Sequence, residues 1–289
     1  MTRVDVGGLW LNVEVRGEGP PVVLLHGFTG SAAGWGATAA ALEPEFTTVA
    51  LDIVGHGKSD APASLDRYVM ERAVDDLVHA VRLAGYERAA WFGYSMGART
   101  ALQVAARRPD AVSALVLEGG SPGLATPEER QARMQSDEAL AERIEREGVD
   151  AFVRYWEAIP LFATQSAELR EALRPGRLGC APAGLANSLR GMGTGAQPAL
   201  HERLGDLAMP ALIVAGALDA KFVDIGQEMA RALPDATMQV IEDAGHAAHL
   251  ERPDVVHAAV LGFLRRVDES PGADAAASAG DTMTEGRGA

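Results

Sequence analysis

The chain has one cysteine, Cys180, in 289 residues. A lone thiol excludes an internal disulfide and any thiolate metal cluster. It suits a reducing compartment, so the cytoplasm is the expected location. Positive charge is also scarce: 26 Lys and Arg stand against 40 Asp and Glu, a formal net charge of −14. Duplex binding and adhesion to anionic lipid both need clustered cations, so neither nucleic acid nor a membrane is an expected partner. Long apolar runs are missing. The longest, such as residues 22–25 and 211–215, fall far short of the ~20 residues that span a bilayer. Residues 1–11 lack a basic start followed by an apolar segment, so no secretory signal is expected. No HExxH-like pair or ligand-spaced cluster occurs, so no metal is expected. Internal repeats are absent as well. Whether the chain is a monomer or a homo-oligomer stays open at this level.

What is present is ordinary globular composition, 47% apolar and 23% charged. Short apolar stretches alternate with segments of helical spacing. Gly7-Gly8 separates 4–6 from 9–15, which predicts an N-terminal hairpin. Strands are predicted at 22–25, 48–51, 89–93, 115–117, 211–215 and 238–241. Helices are predicted over 69–84, through Val74, Leu77, Val78 and Val81, over 96–107 before Pro109, and over 254–265 after Pro253. Strand–helix alternation with apolar strands implies an α/β fold, a mostly parallel sheet with helices on both faces. From 121 to 205 the strand signal gives way to Glu, Arg and Ala, with helical stretches at 139–144 and 151–156. The expected organisation is a core at 1–120, a helical cap at 121–205, the rest of the core at 206–267, and an acidic tail at 268–289. That tail holds five acids against one base and no apolar periodicity, so it is expected to be disordered.

The most specific local signal is Gly93-Tyr94-Ser95-Met96-Gly97 between a predicted strand and a predicted helix. That setting is required of a nucleophile elbow, where small residues permit a turn sharp enough to push the serine out above the sheet. Serine needs a base. His246, in Asp243-Ala244-Gly245-His246, follows the last predicted strand, and Asp219 follows the strand before it. The order Ser95, Asp219, His246 is that of α/β-hydrolases. Rival acids are Glu118, at the end of the strand after the elbow helix, with Asp224 and Asp243. His26-Gly27-Phe28 follows the strand at 22–25, where this fold supplies one oxyanion-hole amide. The donors would be the backbone N–H groups of Phe28 and Met96, each worth about 2.7–4 kcal/mol where negative charge develops. Gly55-His56-Gly57-Lys58-Ser59 reads as a structural turn. His79, His201 and His257 read as helix residues, and His249 as a packing or rim residue.

These motifs identify the chain as resembling the α/β-hydrolase superfamily from about residue 21 to 264. A narrower resemblance is to the 2-succinyl-6-hydroxy-2,4-cyclohexadiene-1-carboxylate synthases, lyases of menaquinone biosynthesis. It rests on Gly93–Arg99 (GYSMGAR), Ser121–Leu124 (SPGL) followed by Arg133, Trp156 before Pro160-Leu161-Phe162, Arg177, the segment at 184–198, and Lys221-Phe222 beside Asp219. The resemblance implies a small anionic substrate with three carboxylates and an enolpyruvyl ether, no cofactor, and proton abstraction by Ser95 and His246 followed by loss of pyruvate. It assigns Tyr94, Arg99, Arg133, Trp156, Arg177, Lys221 and Phe222 to substrate binding. Arg99 also fits geometrically, one helical turn beyond Ser95 on the same face. One departure is Ala98, where many relatives have a second glycine.

Two other functions use the same residues. A carboxylesterase or C–C hydrolase would form an acyl-enzyme in an apolar pocket. A ligand-binding receptor on this scaffold would turn over slowly. Three arginines converging on Ser95, namely Arg99, Arg133 and Arg177, separate the lyase from both.

Overall fold

The computed structural model describes residues 2–269. Eight strands form one sheet: β1 (Thr2–Asp5), β2 (Trp10–Arg16), β3 (Pro21–Leu25), β4 (Thr47–Leu51), β5 (Ala89–Tyr94), β6 (Val112–Glu118), β7 (Ala211–Gly216) and β8 (Ala236–Ile241). Their order is β1-β2-β4-β3-β5-β6-β7-β8. The hairpin β1–β2 runs antiparallel at one edge, β2 also pairs antiparallel with β4, and the other pairs are parallel.

Side chains alternate across the sheet because a strand repeats every two residues. Val23 and Leu25 join one core while Val22 and Leu24 join the other. Trp91 and Leu115 fall on the first face, Phe92 and Val116 on the second. Both faces are buried, which is why these strands read as continuous apolar runs. Helices α2 (Met70–Leu83) and α3 (Met96–Arg107) cover the first face. Helices α1 (Gly36–Leu42) and α9 (Pro253–Asp268) cover the second. The spacing in α2 buries Val74, Leu77, Val78 and Val81 as predicted. Helix α3 stops at Arg107, just before the restricted residue that precedes Pro109.

Between β6 and β7 the chain forms α4 (Pro127–Trp156), α5 (Ala167–Leu178) and α6 (Pro182–Met192). Thr126 and Glu129 start α4 with a capping box, and Gly148 interrupts it at φ 79° and ψ 171°. These helices share their own core, including Ile144, Phe152, Leu185 and Leu189. After β7 come α7 (Ala220–Ala232) and, after β8, the single turn α8 (Ala248–Glu251). Asp268, expected to open the tail, is instead the last residue of α9. Val267 still packs on the core and holds that turn. The tail from 270 lies outside the described residues.

The turn at residues 55–59 is built around a buried carboxylate. Asp52 accepts from Asn12 Nδ2 at 2.9 Å, from Lys58 N at 2.8 Å and from Ala32 N at 2.5 Å. It ties this turn to two other segments, the structural part expected of it.

Candidate active site

The site lies at the carboxyl ends of the parallel strands, where open α/β sheets bind ligands. Between β5 and α3, Ser95 has φ 53° and ψ −108°, a conformation that costs a non-glycine residue about 1–3 kcal/mol. The glycines around it have a measurable reason. A Cβ at Gly93 would stand 2.2 Å from the Gly97 carbonyl oxygen, and one at Gly97 would stand 2.0 Å from that of Leu25. Ala98 is accommodated because the residue against its methyl is Gly120, where a Cβ would lie 2.7 Å from it.

His246 Nε2 is 2.9 Å from Ser95 Oγ. His246 Nδ1 is 2.7 Å from Asp219 Oδ2. With Nδ1–H donated to the carboxylate, Nε2 is the acceptor for the serine hydroxyl. Among the rival acids, Glu118 is fully buried and accepts from His249 Nδ1 at 2.9 Å and His249 N at 3.1 Å. Asp243 is exposed and pairs with Arg252 at 3.0 Å. Asp224 is exposed on α7.

Ser95, His246, Phe28 and Met96 line one cavity of about 240 Å³. Met96 opens α3, so its N–H belongs to the helix turn whose amides lack intrahelical acceptors. Tyr94, Arg99, Arg133, Trp156, Lys221 and Phe222 line the same cavity. Arg99 Nη1 donates to the Met192 carbonyl at 2.9 Å and to Gln197 Oε1. Burial, then the neighbouring Arg133, pulls the Arg99 guanidinium down to about 10, against the pull of Asp137. It remains a cation at neutral pH. Arg133 Nε pairs with Asp137 Oδ1 at 2.8 Å. Burial raises the Asp137 carboxyl, although Arg133 and Arg99 favour its charged form. The Trp156 indole N–H is buried without a partner. The Phe222 ring lies 4.6 Å from that of His246. Burial and the Glu118 carboxylate push the Tyr94 phenol well above its ordinary range, so it stays protonated.

Arg177 is not among these cavity residues. It lines a neighbouring cavity, where Nη1 meets Glu157 Oε1 at 3.3 Å and the guanidinium sits 5.4 Å from the Phe162 ring centroid. Burial opposes the Glu157 charge, but bonds from Arg174 and Arg177 outweigh it and hold its carboxyl below the usual range. Three residues to which the sequence assigns no site role take part here. Gln197 and Asp137 hold Arg99 and Arg133, and Phe162 lines both cavities. Gln197 lies 98 positions from Arg99, so no local pattern links them. Of the other histidines, His79 and His201 are exposed, whereas His257 is half-buried with Nε2 3.1 Å from Thr38 Oγ1. Among the described residues, no group of three His, Cys, Asp or Glu is placed to hold a metal ion.

Residues 20–253 match the family model of the alpha/beta hydrolase fold. A Bacillus subtilis (strain 168) relative is 42% identical over 260 residues, 88% of this chain and 94% of its own length. It carries the name 2-succinyl-6-hydroxy-2,4-cyclohexadiene-1-carboxylate synthase provisionally. A Serratia proteamaculans (strain 568) relative bears that name outright, with 34% identity over 85% of this chain and 93% of its own. The solved structure of MenH from S. aureus superposes with a TM-score of 0.84 at 30% identity, covering 89% of this chain and 99% of that one. With an eight-stranded hydrolase sheet and curated relatives matched over nearly their whole length, the chain belongs to the alpha/beta hydrolase fold family, and within it to the group of 2-succinyl-6-hydroxy-2,4-cyclohexadiene-1-carboxylate synthases.

Proposed function

We propose that this chain is the lyase that eliminates pyruvate from 2-succinyl-5-enolpyruvyl-6-hydroxy-3-cyclohexene-1-carboxylate, a step of menaquinone biosynthesis. The carrying observation is that two guanidinium groups, Arg99 and Arg133, share one cavity with Ser95 and His246. An acidic protein repels a polyanion unless such groups gather locally. They also argue against the apolar pocket of an esterase.

The chemistry follows from the substrate. Its ring C2–H lies beside the succinyl ketone, so the electron pair left by proton removal spreads onto the ketone oxygen. Ser95 removes that proton and passes it to His246, whose Nδ1–H is fixed by Asp219 2.7 Å away. The Phe28 and Met96 amides stabilise the enolate oxygen. The pair then returns to form C2=C3, the old ring alkene shifts to C4=C5, and the C5–O bond breaks. No bond to Ser95 forms. Arg99, Arg133 and Lys221 hold substrate carboxylates. The Trp156 indole N–H, buried without a partner, offers a further donor.

Among the described residues no helix is long and apolar enough to cross a membrane. The cytoplasm is the location we assign, in keeping with one buried thiol, Cys180. The test supplies the enolpyruvyl substrate and follows diene absorbance. Ser95→Ala is expected to lower kcat by at least about 100-fold. An unchanged rate overturns the mechanism, and an acyl-enzyme burst with an activated ester, without diene formation, favours the esterase.

A further inference from the structure

The elimination described above leaves a neighbouring cavity unused. It measures about 260 Å³ and borders the Ser95 cavity, with Phe28, Tyr94 and Phe162 lining both. Its wall carries five buried polar side chains; beside His26 and Thr29, three of them bear on a ligand, Arg177, Gln165 and His249. Arg177 is 6% exposed. Arg177 shares Glu157 with Arg174, which lies 2.5 Å from that carboxylate. Two guanidinium groups on one carboxylate leave an excess positive charge, and Arg177 makes only one 3.3 Å contact there. Gln165, 3% exposed, brings a primary amide whose Oε1 is buried without a partner. His249 supplies the third group. Its Nδ1 is committed to the buried Glu118 at 2.9 Å, and its ring stacks on Trp35 with centroids 4.8 Å apart. The pairing repeats that of Asp219 with His246, and it leaves Nε2 as the atom that exchanges protons. A fixed acid–imidazole pair beside a cation can move a proton on a small carboxylate.

The proposed reaction produces such a molecule. Breaking the C5–O bond expels the three-carbon unit as the enolate of pyruvate, and pyruvate itself appears only when the methylene carbon gains a proton. We infer that this second cavity receives the leaving enolate and that His249, paired with Glu118, protonates its methylene carbon. The inference rests on the elimination proposed above. In the step, the carbon–carbon π pair takes the proton from His249 Nε2, and the carbon–oxygen bond becomes the ketone. His249 is left neutral. It regains a proton from water, while His246 returns to water the proton taken from the ring, so the two transfers balance. Arg177 pairs with the carboxylate of the enolate.

Two optical signals separate the steps. Diene absorbance reports C–O cleavage. Excess lactate dehydrogenase with NADH reports pyruvate, because it reduces the ketone and not the enol. In weakly buffered solution the two traces of the wild-type enzyme are expected to coincide. In His249→Gln the pyruvate trace is expected to lag the diene trace, its rate constant lower by at least about tenfold. Coincident traces in the variant, or a lag already present in the wild type, overturn the inference. A second measurement needs no variant. Enolpyruvate is released in place from phosphoenolpyruvate by a phosphatase, and its ultraviolet absorbance is expected to decay faster in proportion to added wild-type protein. A decay that protein leaves unchanged overturns the inference. Faster decay in a protein that forms no diene overturns the elimination and leaves the protonation site standing.

Discussion

Arg99 is held in place by Gln197, a neutral side chain, and not by a carboxylate of its own. Its other hydrogen-bond partner is also neutral, the Met192 carbonyl 2.9 Å away. A cation positioned by neutral acceptors keeps its charge for a ligand. Replacing Gln197 by glutamate introduces a permanent competitor at that position. Gln197→Glu is expected to raise KM by about 10-fold or more, with a smaller loss in kcat, because a charge-assisted bond is worth about 1.5–3 kcal/mol. Arg99→Ala is expected to lower kcat/KM by about 10–100-fold for the same reason. Steady-state kinetics on the enolpyruvyl substrate check both. If Gln197→Glu binds substrate as well as the wild type, Arg99 does not hold a substrate carboxylate.

The backbone around Ser95 makes a separate prediction. A Cβ at Gly97 would stand 2.0 Å from the Leu25 carbonyl oxygen and 2.8 Å from that of His26. Both obstacles are backbone, at the buried end of β3 and the buried residue that follows it. Gly97→Ala is therefore expected to cost about 3 kcal/mol or more, or to move Phe28 and Ser95 apart with loss of turnover. A denaturant melt and the diene assay report the two outcomes. Unchanged stability together with unchanged turnover contradicts the close approach.

These two sites show what a sequence makes legible. The elbow is local: five consecutive residues, each with its own steric reason, sit between β5 and α3. Arg99 was within reach because one helical turn separates it from Ser95. The cap is different. Arg177 meets Glu157 across 20 positions and lines another cavity. Its depth depends on how α5 packs against the end of α4, which no spacing encodes. The pairing of His249 with Glu118 spans 131 positions. From sequence, Glu118 ends one strand and Asp219 follows the next, so both are candidate acids. The fold separates them: Asp219 meets His246 Nδ1 at 2.7 Å, while His249 occupies the Glu118 carboxylate.

That separation can be tested directly. Asp219→Asn keeps the size of the side chain but removes the charge that holds the His246 Nδ1–H. It is expected to lower kcat by about 100-fold to 10,000-fold. Asp224→Asn and Asp243→Asn change exposed groups, and Asp243 is already paired with Arg252. Each is expected to stay within about threefold of the wild type. If Asp224→Asn or Asp243→Asn falls as far as Asp219→Asn, the acid has been assigned to the wrong residue.

Two buried histidines make the fold sensitive to acid. His56 is 1% exposed, and its Nδ1 donates to the Val54 carbonyl at 3.1 Å. Burial, reinforced by the nearby His26, takes its imidazole down from 6.5 to about 3, although bonds to the Val54 and Ile53 backbone act the other way. His26 is lowered too, chiefly by burial, with Asp52 and the Gly27 carbonyl opposing. Its Nε2 accepts from the Ile53 N–H at 3.0 Å, which requires a neutral ring. The unfolded chain therefore binds protons below about pH 6.5 that the native state refuses. Stability is full above that pH and falls as pH drops toward 3, by up to about 1.4 kcal/mol per pH unit for each histidine. At pH 4.5, His56 alone accounts for a loss of about 2–3 kcal/mol. His56→Gln retains a donor for the Val54 carbonyl and has nothing to titrate. Its Tm is expected to lie below the wild-type value at pH 7.5, and the gap is expected to narrow or reverse by pH 4.5. Parallel Tm curves across that range would show that protonating His56 does not drive the acid loss.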